Sequence, residues 1–162
     1  MDVILDADIA STFGKTERFH LFKKLFYNSD IFVTEAVKNE IIKSQEYGHS
    51  FAKYVLENVK EIKPSQSESD SCKTIMTKKS VGLGEAESLA IAKKRKLLFL
   101  TNDKTALKEA RNHGVTALDL SMIIRQLWKQ KILTKKSAAS LISEIESKDN
   151  IRFVDKEIIF EG

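Results

Sequence analysis

At residues 97–103 the chain reads Leu97-Leu98-Phe99-Leu100-Thr101-Asn102-Asp103. The continuous apolar run predicts a strand that is buried on both faces, and Asp103 is placed to open the helix that follows. The same order occurs at the start of the chain, where Asp6 closes the apolar run Val3–Leu5. Strands that alternate with helices in this way predict an α/β fold with a central parallel sheet.

The rest of the chain continues this alternation. Further strands are expected at residues 31–33 and 115–118 and just before Pro64. Helices are expected after Thr34 and at residues 19–27, 51–59, 85–94, 104–113, 121–129 and 137–145. Residues 64–80 are polar and are predicted to form a loop, whereas residues 151–154 and 158–160 are predicted to be extended. Residues 1–162 are expected to form a single domain.

The composition is that of an ordinary globular domain. The chain has 162 residues, of which 42% are hydrophobic and 31% are charged. Its single cysteine, Cys72, cannot form a disulfide within the chain, and no zinc-site spacing exists because the histidines are scattered singly at His20, His49 and His113. The net charge of +4 fits a polyanionic partner, but a Lys-rich solvated surface explains it better. Because neither a signal peptide nor a membrane-length apolar stretch is visible, a cytoplasmic location is the default expectation.

Acidic residues stand where predicted strands end or predicted helices lie: Asp6, Glu40, Glu85 and Asp103. A parallel sheet brings the carboxyl ends of its strands to one edge, where the sites of open α/β folds are found. Each acid alone has a simpler explanation, as a helix cap, a helix-dipole partner or a solvated residue. Together they favour a site for Mg²⁺ or Mn²⁺, because crowded carboxylates repel one another unless a hard cation neutralises them.

Segments that contain these acids resemble the motifs of PIN-domain nucleases in order and spacing. The segments are Ile4-Leu5-Asp6-Ala7-Asp8-Ile9, Val33-Thr34-Glu35-Ala36-Val37-Lys38-Asn39-Glu40-Ile41, Gly82-Leu83-Gly84-Glu85-Ala86-Glu87-Ser88-Leu89-Ala90 and Phe99-Leu100-Thr101-Asn102-Asp103. The resemblance covers roughly residues 1–120. Residues 121–162 are similar in pattern to the extra terminal helices of some family members, here followed by an extended tail.

The resemblance implies a three-layer α/β/α domain that hydrolyses single-stranded RNA with Mg²⁺ or Mn²⁺. By that resemblance the catalytic, metal-binding acids are Asp6, Glu40, Glu85 and Asp103, with secondary roles for Asp8, Glu87, Thr101 and Asn102. The chain departs from the family at Asp8, where Ser, Thr or Asn is frequent. Many prokaryotic members are VapC-type toxins that a small antitoxin protein inhibits and that commonly form homodimers, so the resemblance extends to both kinds of partner.

Two other functions remain open at this stage. Asp6-Ala7-Asp8 also fits the nucleophile and the acid/base of a haloacid-dehalogenase-type phosphatase, but that chemistry gives Glu40 and Glu85 no role, and Leu107 stands where a second later acid is expected. The non-enzymatic alternative is a PIN-like module that binds RNA or a protein without cutting it. Cleavage of RNA that requires a divalent metal separates the nuclease from both alternatives.

Overall fold

The computed structural model describes residues 1–46, 50–77 and 80–162. His49, and residues 78–79 of the predicted loop, lie outside the described residues. Within the described ranges the strands are β1 (Val3–Leu5), β2 (Ile31–Thr34), β3 (Lys60–Ile62), β4 (Leu98–Leu100) and β5 (Ala117–Leu118). They form one parallel sheet in the order β3-β2-β1-β4-β5, which confirms the predicted α/β fold.

The central strand, β1, fixes the position of the later site. Val3 pairs with Ile31 of β2 on one side and with Leu98 of β4 on the other. All three residues of β1 are fully buried, which explains why the strand is a continuous apolar run instead of an alternating one. Strands β1 and β4 are therefore neighbours, and the residues that follow them emerge side by side at the carboxyl edge.

Helices cover both faces of the sheet. Their bounds are α1 (Ala7–Lys15), α2 (Phe19–Leu25), α3 (Glu35–Glu46), α4 (Phe51–Leu56), α5 (Gln66–Met76), α6 (Leu83–Arg95), α7 (Lys104–Asn112), α8 (Leu120–Lys129), α9 (Lys135–Lys148) and α10 (Lys156–Ile159). One core lies between the sheet and α1–α4, α8 and α9, and the second lies under α5–α7. Val3 and Leu5 point into the first core and Ile4 into the second, as the alternation of a strand requires.

The prediction of a loop over residues 64–80 is wrong, because most of that segment is helix α5. Ser65 and Glu68 form a capping box at its start, in which each side chain accepts a hydrogen bond from the other residue's backbone N–H. Cys72 and Ile75 then pack into the core beneath α5 and α6. Only these two apolar residues of the helix are buried, so its hydrophobic periodicity is too sparse to detect.

The prediction that residues 158–160 are extended is also wrong. Residues 156–159 form the single helical turn α10, and residues 151–154 are in neither a helix nor a strand. Ile159 anchors the turn in the first core, and the carbonyl of Ile158 accepts a hydrogen bond from Nη1 of Arg125 at 2.7 Å. The sequence patterns do not predict helix α1 as a separate element. Six other predicted helices agree with the structure to within three residues at each end: 19–27, 51–59, 85–94, 104–113, 121–129 and 137–145.

Among the described residues, no helix is both long and apolar enough to cross a membrane.

Candidate metal centre

Asp6 lies at the buried centre of the carboxyl edge, directly after β1. Its side chain is 2% exposed. Oδ1 accepts a hydrogen bond from the N–H of Ile9 at 2.8 Å, which caps α1, and Oδ2 accepts one from the N–H of Asn102 at 3.3 Å. These two backbone donors hold the carboxylate in place between the ends of β1 and β4.

Asp103 occupies the matching position after β4. Its Oδ1 accepts a hydrogen bond from the N–H of Ala106 at 2.7 Å and so caps α7. The hydroxyl of Thr101 accepts a hydrogen bond from the N–H of Asp103 at 3.2 Å and also hydrogen-bonds to the Asp6 carboxylate. Thr101 is fully buried and thereby connects the two acids.

Two glycines at the start of α6 leave room for the other two acids. A Cβ on Gly84 would lie 2.8 Å from Oε1 of Glu40, and a Cβ on Gly82 would lie 2.5 Å from Oε2 of Glu85. A side chain at either position would therefore have to displace the carboxylate end of that glutamate. Gly82 has an ordinary extended backbone at φ −73°, so the requirement for glycine there is space and not conformation. The carboxylates of Glu40 and Glu85 therefore both lie against the first turn of α6.

Electrostatics shows that these acids form one site. The pKa of Asp6 is raised from 3.8 to about 7. Burial is the main cause, the hydrogen bonds from Thr101 and Ile9 oppose it, and the charges of Asp8 and Glu85 add smaller increases. A buried carboxyl whose pKa is about 7 is close to half protonated at neutral pH. Asp6 is thus held where an added positive charge would have a large effect on its protonation.

Glu40 and Asp8 show the same behaviour. Desolvation raises the pKa of Glu40, and the charges of Glu85 and Asp8 add to the effect. Desolvation also raises the pKa of Asp8, with further contributions from Asp149 and Asp103. Each shift includes repulsion from another member of the set, so the acids that the sequence separates are neighbours in the folded chain.

One contributor, Asp149, was not predicted from the sequence. It follows α9 and accepts hydrogen bonds from the Thr12 hydroxyl and the Lys15 ammonium of α1, and its charge reaches Asp8. The sequence offers no signal for this arrangement, because Asp149 and Thr12 are 137 residues apart. The close approach of Gly82 and Gly84 was likewise missed, although both belong to the quoted third motif.

The structure places Glu87 elsewhere. Residues two apart on a helix, such as Glu85 and Glu87, do not share a face. The pKa of the Cys72 thiol in α5 is raised mainly by burial and also by the charge of Glu87. Within the described part of the chain, Oε2 of Glu87 is buried without a hydrogen-bond partner. Glu87 is therefore not among the carboxylates that the structure brings to Asp6.

The donor set was tested for its fit to a hard divalent cation. As placed, no three His, Cys, Asp or Glu side chains in residues 1–46, 50–77 and 80–162 converge tightly enough to surround an ion. Over the same residues, however, no Lys, Arg or His forms an ion pair with the acids of the cluster, which are Asp6, Asp8, Glu40, Glu85 and Asp103. An all-oxygen set that retains its mutual repulsion suits Mg²⁺ or Mn²⁺, which bind through a few carboxylates and keep several waters. The residues therefore fit such an ion by the chemistry of their donor atoms, although as placed they do not surround one.

Comparison with known families identifies the class of protein. The family model described as a PIN domain (DUF3368) matches residues 2–159. The chain therefore belongs to the PIN-domain family, as the motifs at Asp6, Glu40, Glu85 and Asp103 indicate. The sequence matches none of the curated proteins with which it was compared.

Solved structures agree with this fold. The structure of VapBC-1 from nontypeable Haemophilus influenzae superimposes with a TM-score of 0.57 at 15% identity, covering 74% of this chain and 98% of that chain. The structure of PAE2754 from Pyrobaculum aerophilum superimposes with a TM-score of 0.56 at 15% identity, covering 78% of this chain and 96% of that chain. The structure of VapBC2 from Rickettsia felis, bound to a DNA fragment from its promoter, superimposes with a TM-score of 0.56 at 16% identity. It covers 74% of this chain and 98% of that chain. At such identities the likeness establishes the PIN-like fold alone.

Proposed function

We propose that this PIN domain is a metal-dependent endoribonuclease that hydrolyses phosphodiester bonds of single-stranded RNA. The observation that carries the proposal is the cluster formed by Asp6, Glu40, Glu85 and Asp103 together with Asp8. Charges within this cluster help to raise the pKa values of Asp6, Asp8 and Glu40, and no described Lys, Arg or His forms an ion pair with its members. Such a cluster is costly for a fold to maintain unless a cation uses it. Mg²⁺ or Mn²⁺ is the proposed cofactor.

Each residue has a distinct task in this mechanism. The Oδ1 atoms of Asp6 and Asp103 cap α1 and α7, and the carboxylates of both residues, with those of Glu40 and Glu85, would hold the metal. Thr101 and the N–H of Asn102 hold Asp6 in its orientation. The chemistry that Mg²⁺ or Mn²⁺ supplies at such a site is activation of a water molecule and neutralisation of charge on the phosphate. No His, Ser or Cys of this chain needs to act as a nucleophile.

The test measures cleavage of a mixed single-stranded RNA pool with Mn²⁺ and with a chelator. The wild type is compared with Asp6→Asn, Asp103→Asn and the double variant, all purified identically. Because the acids act as one metal-binding unit, each single variant is expected to lose nearly all activity and the double variant to be little worse. Asp70→Asn is the matched control, since Asp70 is exposed on α5 and its carboxylate contacts the side chains of Gln66 and Lys73 at the surface.

Three outcomes would contradict the proposal. Activity that survives chelation, or that is equal in the wild type and Asp6→Asn, indicates a contaminating nuclease. RNA binding without cleavage supports the non-catalytic module. Hydrolysis of a small phosphate monoester through a phospho-Asp6 intermediate supports the phosphatase.

The comparisons favour a protein partner in addition to RNA. Two of the similar structures are VapBC complexes, so we propose that a small antitoxin-like protein binds this chain and inhibits it, and that the chain forms a homodimer. Purification together with the product of any small reading frame immediately upstream tests the first point. Light scattering of the purified chain tests the second.

A further inference from the structure

A groove of about 620 Å³ opens beside the acid cluster, between α7, α8 and the C-terminal segment 151–159. We call it the α8 groove; its lining includes Asn102, Lys104, Met122, Arg125, Phe153 and Ile158. Its volume lies within the range of about 300–1,000 Å³ that sites for small ligands and cofactors occupy. The acid cluster itself does not use this space.

Asn102 joins the groove to the cluster. Its backbone N–H donates to Oδ2 of Asp6 at 3.3 Å, while its side-chain Oδ1 accepts a hydrogen bond from the N–H of Leu120 at 3.5 Å. One residue thus contacts both the buried acid and the first residue of α8. Asn102 therefore connects Asp6 with the wall of the groove.

Three cationic side chains line the groove: Lys104, Arg125 and Arg152. Lys104 stands in the first turn of α7, where the helix dipole disfavours a positive charge, and no described residue pairs with its ammonium group. Arg125 uses Nη1 to hold the carbonyl of Ile158, and Arg152 is exposed. Two acids also line the groove: Asp119, whose Oδ1 caps α8, and Asp155. The cations outnumber the acids and lie next to a site that must accept a phosphodiester.

The groove also presents apolar surface to solvent. Met122 is 39% exposed, Ile158 is 50% exposed and Val154 is 90% exposed. Phe153 is buried beneath them and forms part of the floor. Apolar side chains beside cations suit unstacked nucleotides, because each nucleotide has a flat base and a charged phosphate.

We propose that the α8 groove binds the nucleotides of single-stranded RNA that flank the scissile phosphate, with bases against Met122 and phosphates against Lys104 and Arg125. The proposal rests on the proposed ribonuclease function and adds a substrate site to it. The cluster at Asp6 cuts, while the groove provides most of the affinity for the strand. Groove variants therefore weaken RNA binding and leave the hydrolysis of a minimal phosphodiester unchanged.

Binding is measured first, in the presence of a chelator, so that no cleavage occurs. Fluorescence anisotropy with a labelled single-stranded RNA is expected to show Kd raised roughly fivefold by Lys104→Ala, with the salt dependence reduced by about 0.7 in the slope of log K against log salt. Met122→Ala is expected to raise Kd by a similar factor. Met76→Ala on α5 is the matched control, since Met76 is also 39% exposed but lies outside the groove. Circular dichroism melts confirm that each variant is folded.

A crosslink locates the RNA directly. RNA that carries 4-thiouridine is expected to crosslink under ultraviolet light to peptides of residues 119–125 or 151–158, as mapped by mass spectrometry. Unchanged Kd values for Lys104→Ala and Met122→Ala, or crosslinks only elsewhere, would overturn the proposal. The proposal would also be overturned if the groove variants bound RNA as the wild type does but no longer bound an upstream-encoded protein. That result would assign the groove to a protein partner.

Failure of the groove and failure of the ribonuclease function give different results. Hydrolysis of bis(p-nitrophenyl) phosphate with Mn²⁺ tests the acid cluster without the groove. If Asp6→Asn abolishes that hydrolysis and groove variants bind RNA normally, the nuclease stands and the groove proposal is wrong. If RNA crosslinks in the groove but neither substrate is cut, the groove stands and the ribonuclease is wrong.

Discussion

The substitution Asp6→Asn removes a carboxylate whose pKa burial raises strongly. In the folded chain the pKa of Asp6 is raised from 3.8 to about 7, chiefly by burial. The folded protein therefore retains a proton between pH 3.8 and about 7 that the unfolded chain has released. It follows that this residue lowers the stability of the metal-free protein progressively as the pH rises through that window.

The size of the effect follows from the shift. Each pKa unit corresponds to about 1.4 kcal/mol, so ionised Asp6 costs the folded state roughly 4 kcal/mol above pH 7. Asparagine keeps the acceptor that caps α1 through Ile9, but it loses the hydrogen bond from Asn102, worth about 1 kcal/mol. The net gain above pH 7 is about 3 kcal/mol. In a protein of this size that gain raises the melting temperature by roughly 6–12 °C.

Thermal melts of the wild type and Asp6→Asn from pH 4 to pH 8, with chelator present, test this reasoning. The variant is expected to be slightly less stable at pH 4 and clearly more stable at pH 8. Asp119→Asn is the matched control, because Asp119 also caps a helix, through the N–H of Met122 at 2.8 Å, but lies outside the cluster. A difference between Asp6→Asn and the wild type that does not change with pH would refute the assignment of the shift to Asp6.

The remaining predictions concern metal, α5 and α6. Mn²⁺ at about 100 times its Kd is expected to stabilise the wild type by about 2.7 kcal/mol and Asp6→Asn hardly at all; equal shifts in melting temperature would contradict metal binding at Asp6. Glu68→Gln is expected to cost about 2–3 kcal/mol at pH 7 in urea unfolding, because Glu68 is 2% exposed and bonds twice to Arg95. The pKa of Glu68 is lowered to about 2, so this difference must shrink as the pH falls from 4.5 toward 2, and a constant difference would contradict the ion pair. Gly84→Ala, which forces Glu40 to move, is expected to reduce Mn²⁺ affinity and RNA cleavage at least tenfold while the protein stays folded, and an unchanged Mn²⁺ titration would refute the packing argument.

The sheet and its acidic edge could be predicted because their signals are local. Val3–Leu5 and residues 97–100 are continuous apolar runs, and strands buried on both faces have no other common sequence pattern. Once these two strands are parallel neighbours, Asp6 and Asp103 must emerge at the same edge.

Features that depend on distant pairs could not be predicted. Helix α5 is held by Cys72, by Ile75 and by the ion pair from Glu68 to Arg95, which are 27 residues apart. Only the capping box at Ser65 was available as a local signal for that helix. The contact of Asp149 with α1 has no local signal, since side-chain periodicity carries no information about which helix a chain terminus will reach.

The structural and functional explanations of Asp6 and Asp103 are compatible. From the sequence, each aspartate can be explained either as a helix cap or as a metal ligand. In the structure Oδ1 of each residue makes the cap, to Ile9 at 2.8 Å and to Ala106 at 2.7 Å, so the cap uses only one of the two carboxylate oxygens. A cap fixes the side-chain rotamer, so the same hydrogen bond that begins the helix also orients the second oxygen before any ion arrives. Asparagine keeps the cap but not the second carboxylate oxygen, so it is the substitution expected to separate folding from the proposed metal binding at both positions.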